Sequence, residues 1–86
     1  MNKRLTVPNI LSKKGIDKIV MLTCYTAQMA KILDNHVDIL LVGDSLGMTI
    51  YGHRNTLSVS LRMMIDHGLC VVNNSKKALV VIDMPF

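Results

Sequence analysis

The sequence predicts a parallel α/β fold, a short helix followed by β–α–β–α–β. Three observations carry that reading. Short apolar runs rich in Val, Ile and Leu recur at Lys18–Cys24, Val37–Gly43 and Ala78–Asp83, nearly unbroken, as in strands covered on both faces. Two segments with helical spacing separate them, and strand–helix–strand alternation makes parallel neighbours joined by right-handed crossovers. Finally, 86 residues, 50% hydrophobic and 19% charged, suffice for one thin core. Residues 1–86 therefore read as a single, incomplete domain.

Each element has its own signal. Thr6 to Gly15 reads as a helix: Thr6 caps it, Pro8 fits the first turn, Ile10 and Leu11 face inward, and Gly15 suits the stop. The β-branched run Lys18–Cys24 is the first strand. Helical spacing resumes from Thr26 to His36, with Ala27, Ala30 and Leu33 on one face and Lys31 and Asp34 on the polar one. Val37–Gly43 is the second strand, interrupted only by Asp38. Asp44 to Leu57, rich in Gly, Thr, Asn and His, reads as a loop. Ser58 or Ser60 then caps a helix whose apolar stripe is Leu61, Met64, Ile65, Leu69 and Val72, ended by Asn73, Asn74 and Ser75. Ala78–Asp83 is the third strand, and nothing after it covers it. Parallel sheets normally have both faces covered, so the chain is expected to be the opening of a larger sheet.

Composition narrows the function. The net charge of +4 comes from ten Lys and Arg scattered as singles and pairs, and only three aromatics are available for base stacking. A solvated surface is expected, with no nucleic-acid partner. No apolar run approaches the roughly 18–20 residues that span a bilayer, so no membrane role is expected. The basic start, Met1 to Arg4, is followed by Pro8, Asn9, Ser12 and Lys13, which break any signal-peptide stretch; a cytoplasmic protein is expected. Cys24 and Cys70 lie in apolar sequence and read as two buried free thiols. His67-x-x-Cys70 lacks the second pair that a zinc site needs.

Chemistry is expected where two acids recur at equivalent places. Asp44 follows the second strand and Asp83 ends the third, so both project at the carboxyl ends of adjacent parallel strands, where ligands bind in such folds. Two oxygen ligands there suit a divalent cation such as Mg²⁺, with other positions left to water and substrate. The bland alternative is that each Asp is a turn former or helix cap.

Gly43-Asp44-Ser45-Leu46-Gly47 also fits the Gly-x-Ser-x-Gly nucleophile elbow, and it resembles the Gly-Asp-Ser-Leu signature of a family of serine esterases, with Ser45 as nucleophile. Three points weigh against that. Met48 to Thr56 reads as loop where an elbow enters a helix, those esterases place the motif on their first strand, and no late Asp-x-x-His pair follows to activate a serine.

A longer match outweighs it. Leu40-Leu-Val-Gly-Asp-Ser-Leu-Gly-Met-Thr-Ile-Tyr-Gly-His53 with Asn55-Thr-Leu57 resembles the signature of the ketopantoate (3-methyl-2-oxobutanoate) hydroxymethyltransferases. Met21-Leu-Thr-Cys-Tyr-Thr-Ala27 and Val80-Val-Ile-Asp-Met-Pro-Phe86 resemble the same family's first and third strands, in order and at the right spacing. The resemblance implies a (β/α)₈ TIM barrel, here truncated after the third strand. It also implies transfer of a hydroxymethyl group from 5,10-methylenetetrahydrofolate to 3-methyl-2-oxobutanoate with the help of Mg²⁺, in pantothenate biosynthesis. On the matching positions, Asp44 and Asp83 correspond to metal-binding acids, and Asp44, Ser45 and Asp83 to substrate-binding residues. A cation chelated by the ketoacid would stabilise the enolate formed when its C3 proton leaves, while Ser45 binds the carboxylate rather than attacking.

There are departures as well. Thr26 stands where many members have Asp, Ser58 where Pro is common, and Met63 where an acid completes a capping box. The family's general base and its substrate-binding Lys belong to strands beyond Phe86, so no catalytic residue is assigned. The chain alone is expected to be inactive: a truncated or split enzyme that lacks the base, or else a non-catalytic piece that either pairs with a complementing C-terminal barrel fragment or is a decaying gene product. Homo-oligomers are expected from the family.

Overall fold

The computed structural model describes residues 3–85. Met1, Asn2 and Phe86, the last residue of the third matching segment, lie outside the described residues. Along the chain come α1 (Val7–Ser12), β1 (Met21–Thr23), α2 (Ala27–Leu33), β2 (Ile39–Val42), α3 (Leu46–Thr49), α4 (Leu61–Asn73) and β3 (Leu79–Ile82).

Local chemistry sets the starts of the helices. The Thr6 hydroxyl accepts from the Asn9 N–H, and Thr26 does the same for Met29 and Ser60 for Met63, each serving an otherwise orphaned first-turn donor. At α4 the Met63 sulfur accepts from the Ser60 N–H at 3.4 Å, filling with a thioether the place a capping-box acid takes. Gly15, at φ +78°, makes the left-handed turn after α1. One element was unforeseen: the segment expected as loop, 44–57, contains the helical turn α3.

The strands form one parallel sheet in the order β1–β2–β3, with Met21 opposite Ile39 and Val42 opposite Ile82. Helix α2 packs against α4, and α4 packs on β2 and β3, so both crossovers lie on the same side of the sheet. Leu40 and Val42 point to that side and are fully buried, in a core with Cys24, Ala30, Leu46, Met64, Val71 and Ala78.

Incomplete cover corrects several expectations. All three β1 residues are exposed, and so are Val81 and Ile82 of β3, because two helices cover only part of a three-stranded sheet. Helix α1 buries no residue, and Leu11, expected inside, is exposed. On α4 the buried stripe is Met64, Gly68 and Val71, whereas Leu61, Ile65, Leu69 and Val72 form an exposed apolar stripe beside it. Gly68 explains the rotation. A Cβ there would stand 2.5 Å from Ile82 Cδ1, so the glycine lets the helix settle directly on β3. Cys70 falls on the outer face and is exposed, unlike Cys24, so only one of the two free thiols is buried.

Two charged side chains fix the entry to β3. Asp34, expected on the polar face of α2, is buried at 8% exposure and accepts the N–H groups of Lys76, Lys77 and Ala78 at 2.8–3.1 Å. The Arg4 guanidinium donates to the Ser75 hydroxyl and to the carbonyls of Val72, Ser75 and Ala78. Asp38 holds the other side of that end, pairing with Lys13 and accepting the Val20 N–H at 2.9 Å.

Candidate functional site

The carboxyl ends of β2 and β3 bring Asp44, Ser45 and Asp83 together. The ladder runs one step past the strands, since the Asp83 N–H donates to the Val42 carbonyl at 3.0 Å, which sets Asp83 beside Gly43. The next residue turns back over it: the Asp44 backbone N–H donates to Asp83 Oδ2 at 3.1 Å. Ser45 Oγ and Asp83 Oδ2 both overhang Gly43, at 3.4 and 3.5 Å from where a Cβ on that residue would stand. Both acids are partly exposed at the sheet end.

Ser45 opens the turn into α3 with φ −56° and ψ −14°, ordinary right-handed helical backbone. That geometry bears on the esterase alternative. A helix does begin at once, at Leu46, so the objection from a missing helix falls. A nucleophile elbow is a strained turn, however, and among the described residues only Gly15 and Gly52 have positive φ. The partner of Ser45 Oγ is the Tyr25 hydroxyl at 2.5 Å, not a histidine.

Tyr25, just past β1, is 8% exposed. Its carbonyl lies 2.7 Å from His67 Nδ1, and a carbonyl can only accept, so Nδ1 carries the proton. In the neutral ring Nε2 then accepts from the Tyr51 hydroxyl at 3.0 Å, with the Tyr51 ring edge-on to His67. His67 thus engages both ring nitrogens with tyrosines. The sequence reading assigned Tyr25 no role. The available signal was its place, an aromatic at the carboxyl end of a strand in a chain that is 3% aromatic.

Elsewhere, burial pushes the Cys24 thiol above its ordinary pKa, which keeps it protonated and unreactive. An open cleft lined by Lys3, Leu5, Asp34, Asn35, Val37 and Lys77 lies at the opposite, amino-terminal end of the strands. Its one carboxylate is already taken up by the N–H groups of residues 76–78.

A divalent cation suits the donor set at the acid pair to a limited extent. One oxygen of Asp83 is engaged by the Asp44 N–H, which leaves its other oxygen and the Asp44 carboxylate as hard oxygen donors. Among the described residues no group of three or more His, Cys, Asp or Glu converges. By donor chemistry the two carboxylates suit a hard cation such as Mg²⁺ that keeps several positions for water and substrate, and they do not form a closed protein cage.

Comparison with known proteins agrees with the site's sequence. The family model described as ketopantoate hydroxymethyltransferase matches residues 4–86. The chain is 55% identical over 85 residues to the 3-methyl-2-oxobutanoate hydroxymethyltransferase of Rhodospirillum centenum, covering 99% of this chain and 31% of that protein. It is 58% identical over 82 residues to the enzyme of that name from Anaplasma marginale (strain St. Maries), covering 95% and 30%. Against the one from Paramagnetospirillum magneticum it is 56% identical over 84 residues, covering 98% and 31%. The chain spans about a third of the length of these curated relatives. With nearly every residue matched by the family model, and the acid–serine turn inside the match, the chain belongs to the ketopantoate hydroxymethyltransferase family.

Proposed function

We propose that this chain supplies the ketoacid- and cation-holding part of an enzyme that transfers a hydroxymethyl group to 3-methyl-2-oxobutanoate, with 5,10-methylenetetrahydrofolate as donor. The observation that carries the reading is the Asp44 N–H bonded to Asp83 Oδ2, which joins two acids at the carboxyl ends of neighbouring parallel strands. In this reading Asp44 and Asp83 hold Mg²⁺ and orient the ketoacid, and the Ser45 hydroxyl donates to its carboxylate. When bound, Mg²⁺ supplies Lewis-acid stabilisation of negative charge on the keto oxygen. The chain's residues bind and align; the base that removes the C3 proton is assigned to none of them.

The fold reading follows from the layers. Sequential strand order with both crossovers on one side is the winding of a (β/α)₈ barrel, whereas doubly wound sheets carry helices on both sides. The bare side, with Met21 and Val81 exposed, would then be the barrel interior, covered by the remaining strands in one polypeptide or as a complementing C-terminal barrel fragment. Assembly into homo-oligomers, as the family resemblance implies, belongs to the same reading. Two unpaired thiols suit a reducing cytoplasm, and among the described residues no helix is long and apolar enough to cross a membrane.

Calorimetric titration of the 86-residue chain with 3-methyl-2-oxobutanoate tests the reading. Binding that requires Mg²⁺, without turnover when methylenetetrahydrofolate is added, is expected. Ketoacid binding that ignores Mg²⁺, or none, would contradict it.

A further inference from the structure

Tyr25 shares its hydroxyl with Ser45, and the proton count of that contact has a consequence. Serine has one hydroxyl hydrogen. If Ser45 donates it to Tyr25, none remains for a bound anion. If Tyr25 donates to Ser45 Oγ, the serine hydrogen is released to point at a carboxylate. An anion in the site selects the second arrangement, because a hydrogen bond to a charged acceptor is roughly twice as strong as a neutral one, and donation by Tyr25 polarises the serine O–H further. The phenol is built for that task. It is 8% exposed, its oxygen lies 2.5 Å from Ser45 Oγ, and its own carbonyl is held by His67 on α4 at 2.7 Å.

We propose that Tyr25 is a positioning residue: its hydroxyl donates to Ser45 Oγ and so aims the Ser45 hydrogen at the carboxylate of the ketoacid. The proposal rests on the ketoacid reading of the site and adds to it the residue that sets the direction of the Ser45 donor. No bond is made or broken. The chain Tyr25 O–H to Ser45 Oγ–H to carboxylate forms by rotation of two hydroxyls.

The test is a double-mutant cycle read by ligand affinity in the presence of Mg²⁺. Tyr25→Phe should weaken binding of 3-methyl-2-oxobutanoate about tenfold, and Ser45→Ala by at least as much. Adding Tyr25→Phe to Ser45→Ala should change little further, because the two groups act through one contact. Tyr25→Phe should scarcely affect the primary amide of the same ketoacid, whereas a merely structural loss would weaken both ligands alike. Additive losses, or equal losses for acid and amide, would overturn the proposal. A ligand-free measurement separates it from the reading beneath it. A slowly exchanging Tyr25 hydroxyl proton should be seen by NMR in the native chain and lost in Ser45→Ala, and its absence overturns the contact itself. If it is present while the native chain binds no ketoacid, the ketoacid reading falls, and with it the anion-directed half of the proposal.

Discussion

Replacing Asp34 by Asn removes the charge at the entry to β3 and leaves the side chain's shape intact. In the native chain one carboxylate oxygen accepts the Lys76 N–H at 2.8 Å, the other accepts Ala78 N–H at 2.9 Å, and Lys77 N–H lies 3.1 Å from both. Asparagine keeps one acceptor and turns an NH₂ group toward the other donor. One charge-assisted bond is lost and the rest become neutral. Hydrogen bonds to charged groups contribute about 1.5–3 kcal/mol, against about 0.5–1.5 for neutral ones. Lys76 is exposed, so water recovers part of the loss, while fully buried Ala78 keeps the retained oxygen. The expected cost near neutral pH is about 2–3 kcal/mol.

The pH dependence isolates the cause. Burial by itself raises the Asp34 pKa, but the N–H groups of Ala78, Lys76 and Lys77, helped by the Arg4 charge, more than reverse it and hold the carboxyl below its usual 3.8. A folded pKa below the unfolded one gives stability that is present above the unfolded value and lost as pH falls through the folded value. Urea unfolding followed by circular dichroism should therefore show the full difference at about pH 7 and a smaller one at about pH 2. An equal difference at both, or one under about 0.5 kcal/mol near neutrality, would refute the reasoning.

Further outcomes follow from the packing and from the Ser45 contact. Gly47→Ala would drive a Cβ into Cγ2 of buried, β-branched Val59, and should lower stability by about 1–3 kcal/mol in a thermal melt. Gly68→Ala meets only the tip of Ile82, which is 40% exposed and can swing outward, so it should cost less than Gly47→Ala; the reverse order would contradict the packing. A fluorophosphonate probe should leave Ser45 unlabelled by mass spectrometry, since the hydroxyl is bonded to Tyr25 and sits on unstrained backbone. Stoichiometric labelling would restore the esterase alternative.

Strand positions and the starts of α1, α2 and α4 were legible because their causes are local. Apolar runs mark strands, and Thr6, Thr26 and Ser60 each cap the helix that follows. Burial was less legible, because it depends on how many layers cover the sheet, which no single run encodes. Val81 and Met21 have the residue types of buried strands and are nevertheless exposed. The stripe on α4 was misplaced because Gly68 carries no hydrophobicity, yet its missing Cβ is what allows close approach to β3. Asp34 offered a clue that went unused: an acid at a helix C-terminus opposes the helix dipole and therefore calls for a partner from elsewhere in the fold. At the candidate site, Asp44 and Asp83 could be placed from strand ends alone. The Tyr25–Ser45 contact could not, since it joins residues across two strands through side chains whose directions only packing fixes.

The claim at the centre is that Asp44 and Asp83 act together on one cation. Manganese, a paramagnetic stand-in for Mg²⁺, can be titrated into the chain and its free fraction read by electron paramagnetic resonance. One site is expected, weakened about tenfold or more by Asp44→Asn and likewise by Asp83→Asn. Affinity unchanged by either substitution, with both variants folded by circular dichroism, would contradict the account.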